Sequence, residues 1–103
     1  MDKEVTFKPV GMARYSRAVY LDALIVENMR VVFWDDKGEK PTETQYNTAY
    51  SELKRLWKEF VEFVLVDATG VTDIDEIGFD VMKQVREGFT KAAAGLIAKS
   101  NAA

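Results

Sequence analysis

The sequence predicts a mainly all-α fold: three long helices in an antiparallel up-down-up arrangement, preceded by a short N-terminal extended arm. Three observations carry this. Apolar residues recur at alternating steps of three and four over long stretches. Polar turns too short for anything but a reversal separate those stretches. The 103 residues are 48% hydrophobic and 30% charged, a balance that suits one folded domain over 1–103.

The arm, 1–10, alternates around Val5 and Phe7, with Thr6 and Lys8 on the other side, until Pro9 and Gly11 end it. A lone strand needs a partner, so Phe7 is expected to pack on the helices or on another molecule. Helix one spans 11–34. Its stripe is Tyr15, Val19, Val26, Met29 and Phe33, widened by Ala18, Leu21, Ala23, Leu24, Ile25 and Val32. The β-branched and aromatic run Val31-Val32-Phe33-Trp34 also suits a strand, but helix to about Phe33 is preferred. Asp35 to Lys40 is a turn in which Gly38 can take a positive φ.

Helix two, 42–68, is the clearest element. Pro41 stops what precedes it, and Thr42 with Gln45 has capping-box spacing. Its stripe is Tyr46, Ala49, Tyr50, Leu53, Leu56, Trp57, Phe60, Phe63 and Val64, joined by Val61, Leu65 and Val66 near the end. Gly70 is expected to close it in the left-handed region after roughly 25 residues. Helix three, 73–99, starts from caps at Thr72 or Asp73 and carries Ile77, Val81, Val85, Phe89, Ala92 and Leu96, with Ile74 and Met82 beside them. Each of Gly78, Gly88 and Gly95 costs about 1 kcal/mol in a helix interior, which points to a close backbone approach or a bend. A frayed end is expected from Ser100.

Composition removes chemistry. The chain has no Cys and no His, so thiolate nucleophiles, disulfides, the usual zinc ligands and the usual general base are absent. Asp35 with Asp36 and Asp73 with Asp75 sit in turns, without the spacing of a calcium loop. No glycine-rich phosphate loop is present. The expectation is a non-enzyme with no cofactor and no metal. At a net charge of −3 the basic residues are dispersed, so no nucleic-acid face is expected. The acidic start lacks a signal-peptide pattern and no apolar run reaches a membrane span, so a cytoplasmic protein away from the membrane is expected.

Helix one and the end of helix two carry more apolar residues than a three-helix core can hide. Surplus apolar surface marks a partner site. The expected function is therefore a protein–protein interaction module, self-associating as a homo-oligomer, such as a small assembly or adaptor protein. Candidate contact residues are Phe7, Tyr15, Tyr20, Leu21, Trp34, Val61 and Leu65. The other reading is a small-ligand or nucleotide-binding protein, with aromatics at a subunit interface and Lys8, Arg14 and Arg17 meeting an anion near the start of helix one. The Val5-Thr6-Phe7-Lys8-Pro9 arm followed by acidic amphipathic helices resembles the general outline of small phage accessory and tail-assembly proteins. That resemblance implies an assembly role and carries no residue over.

Overall fold

The computed structural model describes residues 6–8, 11–34 and 36–102, and the side chains of all of these but 12 and 95–102. Expectations placed on Val5, Pro9, Asp35 and the side chain of Leu96 lie outside the described residues. The protein is mainly helical: α1 is Met12–Val32, α2 is Glu43–Val64 and α3 is Phe79–Ala102. Among the described residues β-structure is limited to one isolated antiparallel bridge, Phe7 with Leu65. No helix among them is long and apolar enough to cross a membrane.

The best-signalled boundary is the start of α2. Gln45 N–H donates to Thr42 Oγ1 at 3.1 Å, and Thr42 N–H donates to Gln45 Oε1 at 2.9 Å. The capping box is complete. Before it, Gly38 takes φ +80°, and Asp36, an L residue, takes φ +65°. Run 31–34 resolves as helix through Val32, with Phe33 closing the last turn onto Met29 O.

Three ends differ from expectation, the smallest being that of α3, which runs on as helix to Ala102 instead of fraying from Ser100. α2 stops at Val64, not near 68, because the arm takes over the backbone there. Lys8 N–H donates to Val64 O at 2.7 Å, and Val66 N–H donates to Thr6 O at 2.8 Å. Leu65 is extended, with φ −97° and ψ 142°. Gly70 does adopt φ +83°, but in the connection rather than as a helix cap. α3 begins at Phe79 rather than 73. Asp73 accepts the Asp75 amide in an Asx turn that makes one turn and no more. Gly78 then starts the real helix, its carbonyl accepting from Val81 and Met82.

The core gathers Ala18, Leu21, Ile25 and Met29 of α1, the α2 stripe from Leu53 to Val64, Leu65 and Val71 of the α2–α3 connection, and Met82, Val85, Phe89 and Ala93 of α3. Trp57 is at its centre, fully buried, and its indole N–H donates to Val71 O at 2.6 Å, which ties the long α2–α3 connection to the core. Leu21, Val61 and Leu65, expected to be left over for a partner, are 2%, 0% and 1% exposed. Leu21 faces inward because α1 turns the row Ala18-Leu21-Ile25-Met29 to the core instead of the row Val19-Val26-Phe33, while Val61 lies on the core face of α2 and Leu65 is bridged to Phe7 of the arm.

Candidate interaction site between α1 and α3

α1 is apolar over most of its circumference and has almost no amphipathic asymmetry. When one row goes inward, the row a residue further on is left outside. Val19 is 43% exposed and Phe33 42%, with exposed Ala23 and half-buried Val26 between them. α3 brings Phe79, 46% exposed, against Phe33 at the end of α1. The two rings meet edge to face with centroids 5.0 Å apart, a favoured aromatic geometry. Trp34 sits beside them, held over the turn by its indole N–H on Lys37 O at 2.9 Å.

A groove of about 540 Å³ opens between the two helices, floored by Val26 and Met29 and ringed by Phe33, Trp34 and Phe79. Arg30, Lys37 and Arg86 complete its wall. Arg86 forks onto Asp22 of α1, with Nε to Oδ1 at 2.6 Å and Nη2 to Oδ2 at 3.2 Å, and both side chains are about three-quarters buried. Arg30 has no ion-pair partner among the described residues. No carboxylate is among the described residues that line the groove. It is an apolar trough whose wall carries Arg30, Lys37 and an Arg86 already paired with Asp22.

Of the residues singled out from sequence, Trp34 lines this groove. Tyr20 is 56% exposed, with the Arg17 guanidinium 5.7 Å from its ring centre. Phe7 and Tyr15 are half-buried and pack on Phe89, at 6.4 and 6.3 Å between centroids. The cations near the start of α1 each have an internal partner. Lys8 Nζ donates to Glu62 O at 3.0 Å, Arg14 lies 5.6 Å over the Phe63 ring, and Arg17 pairs with Glu59 at 2.8 Å.

Phe33, Phe79, Arg30 and Arg86 were not singled out. Phe79 did carry a signal, since it belongs to no apolar stripe of helix three. Phe33 was assigned to the core row of helix one, and nothing local distinguishes that row from its neighbour.

A second cavity, of about 600 Å³, lies at the start of α2 between Asn28, Val31, Pro41, Thr42 and Thr48. It has no comparable grouping of rings and cations. Among the described residues no cluster of His, Cys, Asp or Glu could hold a metal ion. Comparison of the chain with protein-family models, curated proteins and solved structures finds no match.

Proposed function

We propose that this protein is a non-catalytic interaction module that binds another polypeptide in the α1–α3 groove. The observation that carries this is the Phe33–Phe79 pair, two large rings each over 40% exposed at the mouth of an apolar trough. Aromatic and Arg side chains in such a setting dominate binding energy at protein interfaces. The lack of His and Cys in the sequence supports a role other than catalysis. A cytoplasmic setting suits a chain without Cys, and the outline shared with small phage assembly proteins is one context for such a module.

Self-association has weaker support, because Leu21, Val61 and Leu65 lie in the core. The anion-site reading also weakens, because Lys8, Arg14 and Arg17 each have an internal partner. The cross-helix pairs argue against the expected up-down-up order. Arg14–Phe63 and Arg17–Glu59 run in opposite senses along α1 and α2, as do Asp22–Arg86 and Phe33–Phe79 along α1 and α3, so α2 and α3 share one direction and the long connection between them carries the chain back.

The test is a random-peptide display selection against the full chain, with a Phe33→Ser/Phe79→Ser variant as counter-target. Peptides that bind the parent chain and lose at least about tenfold on the variant are the expected result. If every enriched peptide binds both proteins equally, the groove is not the binding surface. The variant's helix content and melting point are measured first, and both rings are exposed enough for the fold to survive.

A further inference from the structure

We infer that α1 pairs antiparallel with α1 of a second copy of this chain, across a two-fold axis between residues 28 and 29. Glu27 of each copy then meets Arg30 of the other, and Trp34 of each covers Ala23 of the other. The inference goes beyond the reading of the groove and uses none of Leu21, Val61 and Leu65.

The side of α1 opposite its core row Ala18-Leu21-Ile25-Met29 carries Tyr20, Ala23, Glu27, Arg30 and Trp34. The first four are exposed and Trp34 is half-buried. They recur at alternating steps of three and four, the spacing of a seam between two helices. A solvated helix face is normally rich in charge. This stripe holds one acid and one base, and is otherwise aromatic rings and Ala.

The stripe complements itself. A two-fold contact requires that wherever residue i meets j, residue j meets i. Reversal about the point between 28 and 29 exchanges 27 with 30 and 23 with 34. Acid therefore meets base twice, and a small residue meets a large ring twice. Glu27 and Arg30 lie one turn apart, yet neither takes part in an ion pair among the described residues. The flanks follow the same rule. Half-buried Leu24 and Val31 exchange on one side, and half-buried Val26 and exposed Phe33 on the other. A partner segment of uniform charge would satisfy only one of Glu27 and Arg30 and repel the other. A second copy in this register satisfies both.

The experiment is sedimentation equilibrium of the full chain. A contact made by one helix pair is weak, so the dimer is expected in the upper part of a range from about 1 µM to about 1 mM. Glu27→Arg and Arg30→Glu each set like charges opposite one another, and each should weaken the dimer at least about tenfold. The swap Glu27→Arg/Arg30→Glu restores opposite charges at both contacts and should return to within about threefold of the parent. An equimolar mixture of the two single variants should recover equally, because those chains complement each other and not themselves. Phe33 serves both this pairing and the groove, and substitutions at 27 and 30 separate the two by leaving the rings in place.

A parent chain that stays monomeric throughout overturns the inference. So does a dimer that the single charge variants leave intact, or one that neither the swap nor the mixture recovers. A dimer that Phe79→Ser dissolves and the charge variants do not belongs to the groove and overturns it as well. Should a charge variant fail to fold, crosslinking decides, since the sequence has no cysteine of its own. Ala23→Cys mixed with Trp34→Cys should form a disulfide dimer at least about tenfold faster than either alone, because identical positions lie about 16 Å apart along the paired helices. Equal rates in all three samples overturn the register.

Discussion

The Phe7 ring occupies the space that a side chain at Gly88 would need. A Cβ placed on Gly88 would lie 2.9 Å from Phe7 Cε2 and 3.0 Å from Cζ. The glycine in mid-helix is thus explained by a ring from the arm, not by the backbone approach or bend the sequence suggested. Gly88→Ala sets helix propensity against that contact. In the intact chain it is expected to destabilise by about 1 kcal/mol, because displacing the ring outweighs the propensity gain. In a Phe7→Ala background the same substitution should stabilise by about 1 kcal/mol. Urea unfolding of the four proteins in the cycle checks the change of sign.

Trp57→Phe removes the buried indole N–H and leaves Val71 O without its donor. An unsatisfied buried carbonyl costs about 1–3 kcal/mol, and the smaller ring adds a cavity cost on top. A loss of about 2–4 kcal/mol is expected in denaturant unfolding, from the two effects together. The α2–α3 connection should also lose amide protection around Val71, seen by hydrogen exchange.

Leu21 and Tyr20 are neighbours in sequence with opposite fates, one 2% and the other 56% exposed. Leu21→Ala should cost about 2–5 kcal/mol by emptying a filled core position. Tyr20→Ser should change stability by no more than about 0.5 kcal/mol. Melting curves for the two variants suffice, and a costly Tyr20→Ser would mean that α1 is rotated from the orientation described.

Thr42→Ala removes one half of the capping box at α2. A cost of about 1 kcal/mol is expected. Gln45→Ala, which keeps the Thr42 hydroxyl and loses only the return bond, should cost less. Thermal unfolding of both variants orders them.

The Asp22–Arg86 fork ties α1 to α3 with side chains 26% and 28% exposed. Partial exposure screens it, so a double-mutant cycle with Asp22→Asn and Arg86→Gln should give a coupling of about 0.5–1.5 kcal/mol.

Sequence reasoning succeeded where a signal is local. Thr42, Gln45 and Pro41 mark the start of α2 by chemistry contained within five residues, and Gly38 marks its turn by backbone freedom alone. It failed where the deciding contact comes from elsewhere in the chain. The early end of α2 depends on Thr6 and Lys8 pairing with Val66 and Val64, which nothing near Leu65 announces. The late start of α3 depends on Asp73 closing a turn onto itself before the helix begins. For the groove the difficulty was rotation. α1 offers two nearly equivalent apolar rows, and only the fit against α2 and α3 decides which is wet. Phe79 was legible as an apolar residue outside its helix's stripe. Its partner Phe33 was not.

The bridge at Leu65 also sets an order of assembly. Lys8 reaches residues 54 and more positions away in sequence, and the seat for Phe7 is composite, made from the exit of α2 and the middle of α3. Neither half rewards the arm alone, so loop-closure entropy is recovered only after both helices are in place. The arm is therefore the last of these segments to find its position, and it waits on α3 before it can settle.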